Sequence, residues 1–399
     1  MQSFIFHTPT EIIFGKNAEE QTSRLVKKYN GTKVFIVYGG GSVIKSGLLK
    51  KITDLLESDN IEYLLFGGVK PNPLLSHARD GVKSAVDFNA DFILAVGGGS
   101  VIDTAKAIAH GAKNPDIDVW RFWKKELEVP QSLPIGAVLT ISAAGSETSN
   151  SAVLTNSETG EKRGLNTEFN RPCFTIMNPE LTYSVPKYQV SCGIADIMMH
   201  TMERYFTQVA GENDNEFTDA ISAALLRNVI KNGPVILREP ENYYGASEIM
   251  WCGSVSHNGM TGLGRPMDFS VHQLGHELSG RFDVSHGASL TTMWGSWAKY
   301  VCNANPARFI QYAMEVWGVW AIGINQEAHM VEQGIKKTVE FFKSIGMPTC
   351  FSELGIGVQS ETVIDEIADS CVFHGKRLVG NFKQLDKNDI VNIYKMANR

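Results

Sequence analysis

Two apolar runs in the first half of the chain each end directly in three glycines and a serine. Thr32–Tyr38 (TKVFIVY) is followed by Gly39–Ser42, and Asp91–Val96 (DFILAV) is followed by Gly97–Ser100. Short runs of β-branched and aromatic residues are typical of buried strands, and a helix-like pattern follows each glycine turn. A strand–turn–helix unit that recurs along the chain predicts a parallel sheet with helices on both of its faces.

The rest of the first half continues the same alternation. Its further predicted elements are a helix at Val43–Ser58, a strand at Ile61–Phe66, helices at Leu74–Phe88 and Val101–Gly111, and a strand at Ile135–Thr140.

From about Val185 onward, strand-like runs disappear and long amphipathic segments such as Glu216–Val229 and Ala307–Val319 take their place. The segment Asn178–Pro186 carries two prolines, which are typical of a boundary. We therefore predict an α/β domain at residues 1–184 and an all-α domain at residues 185–399. A chain of 399 residues is long enough for two domains.

The glycine turns allow two interpretations. A helix N-terminus attracts phosphate, and glycines let the backbone approach it closely, so the pair of turns favours a pyrophosphate site. Each turn taken alone is equally explained as a tight connection between a strand and a helix. Asp103 follows the second turn and either complements the helix dipole, shapes the phosphate loop or binds a ribose hydroxyl.

No acidic residue follows the first strand at Tyr38–Ser42. A carboxylate at this place would favour NAD and repel a 2′-phosphate. Its absence, with Ser42 and Lys45 close by, favours NADP, although Lys45 alone is better explained as a solvated surface lysine.

The second half contains two clusters of metal-binding residue types. Asp196 and His200 are four positions apart, as are His272 and His276, and His286 follows ten residues later. Residues at this spacing project from one face of a helix. Imidazole and carboxylate together suit zinc, iron, cobalt or nickel. Taken singly, the Asp196–His200 pair is better explained by a hydrogen bond within a helix, and His272 and His276 by a shared polar helix face; the two clusters together favour a metal site.

Composition excludes several classes of protein. The net charge of −6 gives nothing that would attract nucleic acid or an anionic membrane. The longest apolar runs are too short to span a bilayer, and the first residues lack the pattern of a secretory signal. Six cysteines without a CxxC pair indicate reduced thiols, so we expect a cytoplasmic protein.

Several motifs resemble the iron-containing (group III) alcohol dehydrogenases, in particular their NADPH-dependent butanol dehydrogenase and aldehyde reductase branch. The resembling segments extend over nearly the whole chain and include YGGGSVIKSG, GGGSVIDTAKAIA, GIADIMMHTMERYF and HQLGHELSGRFDVSHG. The resemblance implies a dehydroquinate synthase-like architecture, with a dinucleotide-binding α/β domain, a helical domain and an active site in the cleft between them. It also implies a homodimer.

The resemblance also assigns roles to individual residues. It implies that Asp196, His200, His272 and His286 bind the metal, Fe(II) or Zn(II), and that His276 relays a proton near the nicotinamide. It implies the following contacts to NADP(H) or NAD: Gly39, Gly40, Gly41, Ser42, Asn72, Gly97, Gly98, Gly99, Ser100, Asp103, Thr140, Ser142, Val153, Lys162 and Leu181. From the residues alone Lys162 would be a solvated loop lysine.

The predicted chemistry is reversible hydride transfer between the nicotinamide and a small primary alcohol or aldehyde, such as butanol or butanal, with the metal as Lewis acid. The alternatives are a dehydroquinate synthase-like lyase, another polyol dehydrogenase, a metal hydrolase and a catalytically silent binding protein. Five aromatic residues either line an apolar substrate pocket or fill the core: Phe122, Trp123, Trp251, Trp294 and Trp297.

Overall fold

The computed structural model of the chain describes residues 1–207, 215–320 and 326–399. The described chain forms two compact units, one of residues His7–Val185 and the other of Met1–Phe6 together with Pro186–Arg399. The first six residues, which the sequence analysis assigned to the α/β domain, therefore belong to the helical unit. Gln2 shows the reason, because its backbone N–H donates to the carbonyl oxygen of Gly264 at 2.9 Å.

Unit His7–Val185 contains eight strands: β1 (Glu11–Phe14), β2 (Lys33–Tyr38), β3 (Glu62–Phe66), β4 (Phe92–Gly97), β5 (Ile135–Leu139), β6 (Ser151–Asn156), β7 (Glu161–Asn166) and β8 (Phe174–Met177). Six of them form a parallel sheet in the order β1-β8-β5-β4-β2-β3, with every neighbouring pair parallel. A separate antiparallel hairpin pairs β6 with β7. The parallel sheet predicted from the alternating pattern is thus confirmed.

The centre of the sheet explains why its strands are continuous apolar runs. Every residue of β4 is buried, and so are Val34–Val37 of β2 and all of β5. Helices cover both faces of such a strand, so neither face tolerates polar side chains. These helices are α1 (Thr22–Lys28), α2 (Ser42–Lys45), α3 (Leu48–Ser58), α4 (Leu75–Asp87), α5 (Gly99–Lys113) and α6 (Trp120–Trp123).

Two features of this unit differ from the sequence analysis. The helix predicted at Val43–Ser58 is interrupted at Gly47, whose φ of 78° lies in the left-handed region and separates α2 from α3. The edge strand β1, the strand β8 and the β6–β7 hairpin were missed. β1 and β8 have only four residues each, and β7 (EKRGLN) is too polar to resemble a strand.

The second unit is helical, and no strand was found among its described residues, as predicted. Its helices are α7 (Lys187–Tyr205), α8 (Glu216–Arg238), α9 (Tyr243–His257), α10 (Ser270–Phe282), α11 (His286–Val301), α12 (Pro306–Trp317), α13 (Glu327–Ser344), α14 (Phe351–Leu354), α15 (Glu361–Cys371) and α16 (Lys387–Ala397). α7 and α11 run through its centre, and most of their side chains are buried. Within the described ranges, no helix has the length and hydropathy that crossing a membrane requires.

Candidate functional site

Helix α7 contributes the first half of a candidate metal centre. Asp196 and His200 lie one helical turn apart on the same face, and both side chains are almost completely buried. The Nδ1 atom of His200 lies 3.3 Å from the Oδ1 atom of Asp196.

Helices α10 and α11 contribute the second half. His272 of α10 places its Nε2 atom 3.6 Å from Asp196 Oδ1, and His286, the first residue of α11, places its Nε2 atom 3.7 Å from the same oxygen. His272 is buried, whereas the side chain of His286 is 27% exposed. The four residues that the resemblance implied as ligands are thus brought together, although they span 90 positions of the sequence.

The spacing of these atoms fits a bound cation. Four nitrogen or oxygen ligands at about 2.1 Å from one ion lie about 3.4 Å from each other in a tetrahedron. Asp196, His200 and His272 each offer a ligand atom within 4.8 Å of the others. Asp196 Oδ1, His200 Nδ1 and His272 Nε2 are buried, and none has a hydrogen-bond partner within the described residues. Buried polar atoms are rarely left unsatisfied, so the donor set fits a divalent metal ion.

A glycine explains how α11 reaches this centre. A Cβ atom on Gly287 would lie 2.2 Å from the backbone carbonyl oxygen of Cys192 in α7. Only a residue without a side chain lets the first turn of α11 pack directly against the α7 backbone. This close packing holds His286 beside Asp196.

The protonation of the centre is set by its surroundings. Burial and the neighbouring His257, His272 and Arg204 hold the pKa of His200 well below its ordinary value, so this ring is neutral. Burial also lowers the pKa of His272, but Glu203 and Asp196 outweigh that effect and raise it to about 9. Neutral imidazole is the form that binds metal, and a cation would displace the proton at Nε2 of His272.

Sequence reasoning missed two residues at this centre. Glu203, one turn beyond His200 on α7, is completely buried, and its carboxylate accepts a hydrogen bond from Nδ1 of His272. Its spacing of seven residues from Asp196 was the available signal. His257 lies at the end of α9, with its ring centre 4.1 Å from that of His200. His276, the predicted proton relay, is half-buried with its ring centre 5.3 Å from that of His286.

The predicted cofactor residues follow strands of the other unit. Because the sheet is parallel, the carboxyl ends of its strands all lie at one edge. Residues 39–42 follow β2, residues 97–100 include the end of β4, and Thr140 and Ser142 follow β5. Leu181 lies in a short turn of helix after β8. Ligands of open α/β sheets bind at this edge.

The two glycine turns have different steric demands. A Cβ atom on Gly98 would lie 2.1 Å from the Ile141 side chain, and one on Gly97 would clash with Val101. Packing therefore accounts for these two glycines. A Cβ atom on Gly40 or Gly41 would meet no described atom within 4 Å, so packing does not account for them. The backbone at these two glycines is accessible, as the predicted pyrophosphate site requires.

Asp103 binds the protein itself. Its Oδ1 accepts a hydrogen bond from Ser146 Oγ at 2.6 Å, and its Oδ2 accepts one from the backbone N–H of Val153 at 2.9 Å. Of the interpretations of Asp103, these contacts support the one in which it shapes a loop. Lys106, one turn further along α5, is completely buried and donates to the carbonyl oxygens of Ser146 and Ser151, both at 2.7 Å. Burial lowers its pKa to about 8, although Asp103 opposes the shift.

Lys162 is not the solvated loop residue that its sequence context indicated. It lies within strand β7, and its Nζ atom donates to Asn72 Oδ1 at 3.0 Å. The hairpin is tied to the neighbouring segment, because the N–H of Thr155 donates to the carbonyl oxygen of Pro73 at 2.8 Å.

The five aromatic residues considered for a substrate pocket differ in their exposure to solvent. The side chains of Phe122, Trp123, Trp294 and Trp297 are all at most 1% exposed and pack in the cores of the two units. Trp251 is 46% exposed.

Known proteins match this sequence over nearly its whole length. Residues 9–179 match the model of the iron-containing alcohol dehydrogenases, and residues 190–398 match the model of the C-terminal part of the same family. The sequence is 36% identical to NADH-dependent butanol dehydrogenase A of Clostridium acetobutylicum over 398 residues, with both chains covered completely. It is 33% identical to the NADPH-dependent aldehyde reductase YqhD of Escherichia coli, again over the full length of both.

A solved structure shows the same fold. The crystal structure of NADH-dependent butanol dehydrogenase A from Thermotoga maritima superimposes with a TM-score of 0.94 at 32% identity, and the match covers 100% of this chain and 99% of the other. Fold and site together define a metal-dependent oxidoreductase with a parallel α/β unit and a helical unit. The chain belongs to the iron-containing alcohol dehydrogenase family. This membership selects the alcohol dehydrogenase among the functions that the sequence left open.

Proposed function

We propose that the protein interconverts a small primary alcohol and its aldehyde, with NADP(H) as hydride carrier and a divalent metal ion, Fe(II) or Zn(II), at Asp196, His200, His272 and His286. The observation that carries the proposal is the set of three buried ligand atoms on Asp196, His200 and His272 without hydrogen-bond partners among the described residues.

The metal ion, the nicotinamide and His276 would each contribute a different part of the chemistry. A cation at this centre, with one carboxylate and three neutral imidazoles, would keep a net positive charge and act as a Lewis acid on an alcohol or carbonyl oxygen. The bound nicotinamide would accept or donate the hydride. His276 is half-buried next to His286 and is placed to carry the proton between the substrate oxygen and solvent.

The test compares two histidines of the same helix. His272→Ala is expected to lose both the metal, measured by inductively coupled plasma mass spectrometry, and the turnover of butanal with NADPH. His276→Ala is expected to retain the metal while kcat falls by about 100-fold or more, the usual contribution of a general acid–base group. A His272→Ala enzyme that turns over butanal with the wild-type kcat would refute the proposed centre.

We propose a preference for NADPH over NADH. The turn after β2 offers glycines and Ser42 and no carboxylate to repel a 2′-phosphate, and Lys45 follows in α2. The names of the relatives include both NADH-dependent and NADPH-dependent enzymes, so relatives do not decide the matter. The ratio of kcat/KM for the two cofactors is the test, and a strong preference for NADH would contradict this assignment.

We further propose that the enzyme is a cytoplasmic homodimer that acts on butanol, butanal or a substrate of similar size. All six cysteines are free thiols, which suits a reducing compartment. Phe4, Ile5 and Phe6 are exposed apolar side chains, which favour burial against a second copy. Light scattering after size-exclusion chromatography gives the oligomeric state, and a substrate screen with NADPH oxidation gives the substrate.

A further inference from the structure

Glu203 is a buried carboxylate at the metal centre that offers no atom to the proposed ion. Its side chain is fully shielded from solvent. A buried carboxylate is costly unless hydrogen bonds or opposite charges compensate it. Its contacts therefore indicate what it does.

Among the described residues, the hydrogen bonds to the Glu203 side chain all come from the segment that presents His272. Its Oε1 accepts from the backbone N–H of Val271 at 2.5 Å and from that of His272 at 3.1 Å, and its Oε2 accepts from Nδ1 of the His272 ring. The residue before α10, Phe269, provides no side-chain cap for the helix. Glu203 thus binds two backbone N–H groups in the first turn of α10, those of Val271 and His272, and also the imidazole ring of His272.

These contacts determine which ring nitrogen of His272 is available to a metal. An ionised carboxylate only accepts hydrogen bonds, so Nδ1 must carry the proton. A cation that displaces the second proton therefore meets the lone pair on Nε2, the atom that lies 3.6 Å from Asp196 Oδ1 and has no hydrogen-bond partner among the described residues. Carboxylates in this arrangement fix the ring of a metal-bound histidine and increase its basicity.

We propose that Glu203 is a positioning residue that holds His272 with Nδ1 protonated and Nε2 directed to the metal, so that metal retention depends on it. This inference rests on the proposed metal centre.

The experiment measures the release of zinc from Zn-loaded enzyme to excess EDTA, with far-UV circular dichroism as a check on folding. In Glu203→Gln one amide cannot serve both the ring N–H and the backbone N–H groups, and zinc release is expected to be at least about tenfold faster than in wild type. Release at the wild-type rate would overturn the proposal.

Asp268→Asn is the matched control. Asp268 also binds the start of α10, through Ser270, whose N–H donates at 2.9 Å, and its other side-chain hydrogen bonds within the described residues go to Asn381 and Phe382 rather than to His272. If capping of α10 were the whole role of Glu203, both variants would lose zinc equally fast, and the proposal would fail. We expect the Asp268→Asn enzyme to retain zinc within about twofold of wild type, a change too small for loss of a ligand-orienting carboxylate.

A second measurement uses the wild-type protein and does not depend on the folding of any variant. In ¹⁵N-histidine-labelled Zn-enzyme, the His272 resonances, identified by their loss in His272→Ala, are expected to show a protonated Nδ1 and a metal-bound Nε2. A metal-bound Nδ1 would overturn the assignment. If wild type binds no zinc, the metal centre itself fails and the inference fails with it. If wild type binds zinc and Glu203→Gln releases it normally, only the inference fails.

Discussion

Lys162 donates a hydrogen bond to Asn72 across 90 positions of the sequence, and both residues are candidates for cofactor contact. The bond joins strand β7 to the segment that precedes α4, beside the edge of the sheet where the glycine turns lie. A cation fixed in this way is well placed to bind a phosphate or a ribose hydroxyl.

We therefore expect Lys162→Met and Asn72→Ala each to raise KM for NADPH about tenfold, which is the loss of one charge-assisted hydrogen bond, and to leave kcat nearly unchanged. The double variant should show less than the sum of the two effects, since each substitution removes the same bond. Lys50→Met, at a lysine that pairs with Asp54 on the surface of α3, is the control and should bind NADPH normally. An unchanged KM for NADPH in Lys162→Met would show that Lys162 does not contribute to cofactor binding.

The contact of Gly287 with α7 leads to a prediction about metal binding. Gly287→Ala must push the start of α11 away from the carbonyl oxygen of Cys192, and His286 moves with it. We expect metal affinity to fall at least about tenfold and unfolding free energy to fall by about 1–3 kcal/mol, the usual cost of overpacking. Metal titration and urea denaturation measure the two effects.

Gly295→Ala in the same helix is the control. Its Cβ atom would meet only the Val339 Cγ2 methyl group, at 2.9 Å, which can move aside. Normal metal affinity in Gly287→Ala would show that His286 does not depend on this packing.

We expect the stability of the protein to depend on pH because of the buried residue His110. Burial lowers its pKa to about 4, although the Nε2 hydrogen bond to Asn170 Oδ1 at 2.8 Å opposes the shift. Between pH 6.5 and 4 the unfolded chain binds a proton at this residue and the folded chain does not. Stability from this residue is therefore complete above pH 6.5 and is lost as the pH falls towards 4, by up to about 3 kcal/mol.

The measurement is the unfolding free energy of wild type and His110→Gln at several values of pH between 4 and 7. The difference between the two proteins should narrow by about 2–3 kcal/mol as the pH falls through this range. His329→Gln replaces an exposed histidine and is the control. Its unfolding free energy should change with pH in the same way as that of wild type. A pH-independent difference for His110→Gln would mean that the buried ring accepts a proton without penalty.

We expect substitution of Asp219 to cause a large loss of stability in the helical unit. Its buried carboxylate accepts hydrogen bonds from both Arg265 and Arg308, and the guanidinium of Arg308 lies 3.8 Å from the ring centre of Tyr205. Asp219→Asn keeps the volume of the side chain. It removes the one carboxylate among the described residues that forms an ion pair with both arginines. We expect a loss of about 3–5 kcal/mol in unfolding free energy, measured by urea denaturation.

Glu366→Gln is the comparison for this prediction. Glu366 pairs with Arg281 at 2.8 Å on the surface, where both side chains are at least 40% exposed. Solvent screens such a pair, so the loss should be less than about 1 kcal/mol. Equal effects for the two substitutions would show that the buried network contributes no more than a surface ion pair.

Local periodicity was enough to predict the sheet, the helical second half and the pairing of Asp196 with His200. The central strands are short continuous apolar runs, and a helix repeats its burial about every four residues, so these features are present in a short window of sequence. The same reasoning missed the edge strand β1 and the strand β8, which have only four residues each, and strand β7, which is mostly polar. The resemblance to a family, rather than periodicity, supplied Asn72, Val153 and Lys162.

Contacts between distant segments were decided only by the tertiary structure. No spacing in the sequence indicates that Glu203 binds the ring of His272, that Asp103 binds the N–H of Val153, or that Lys162 reaches Asn72. Such contacts depend on how whole helices and strands pack, through close approaches such as that of Gly287 to α7. The sequence by itself determined which residue types could bind a metal and on which helices they lie, and packing determined where their atoms meet.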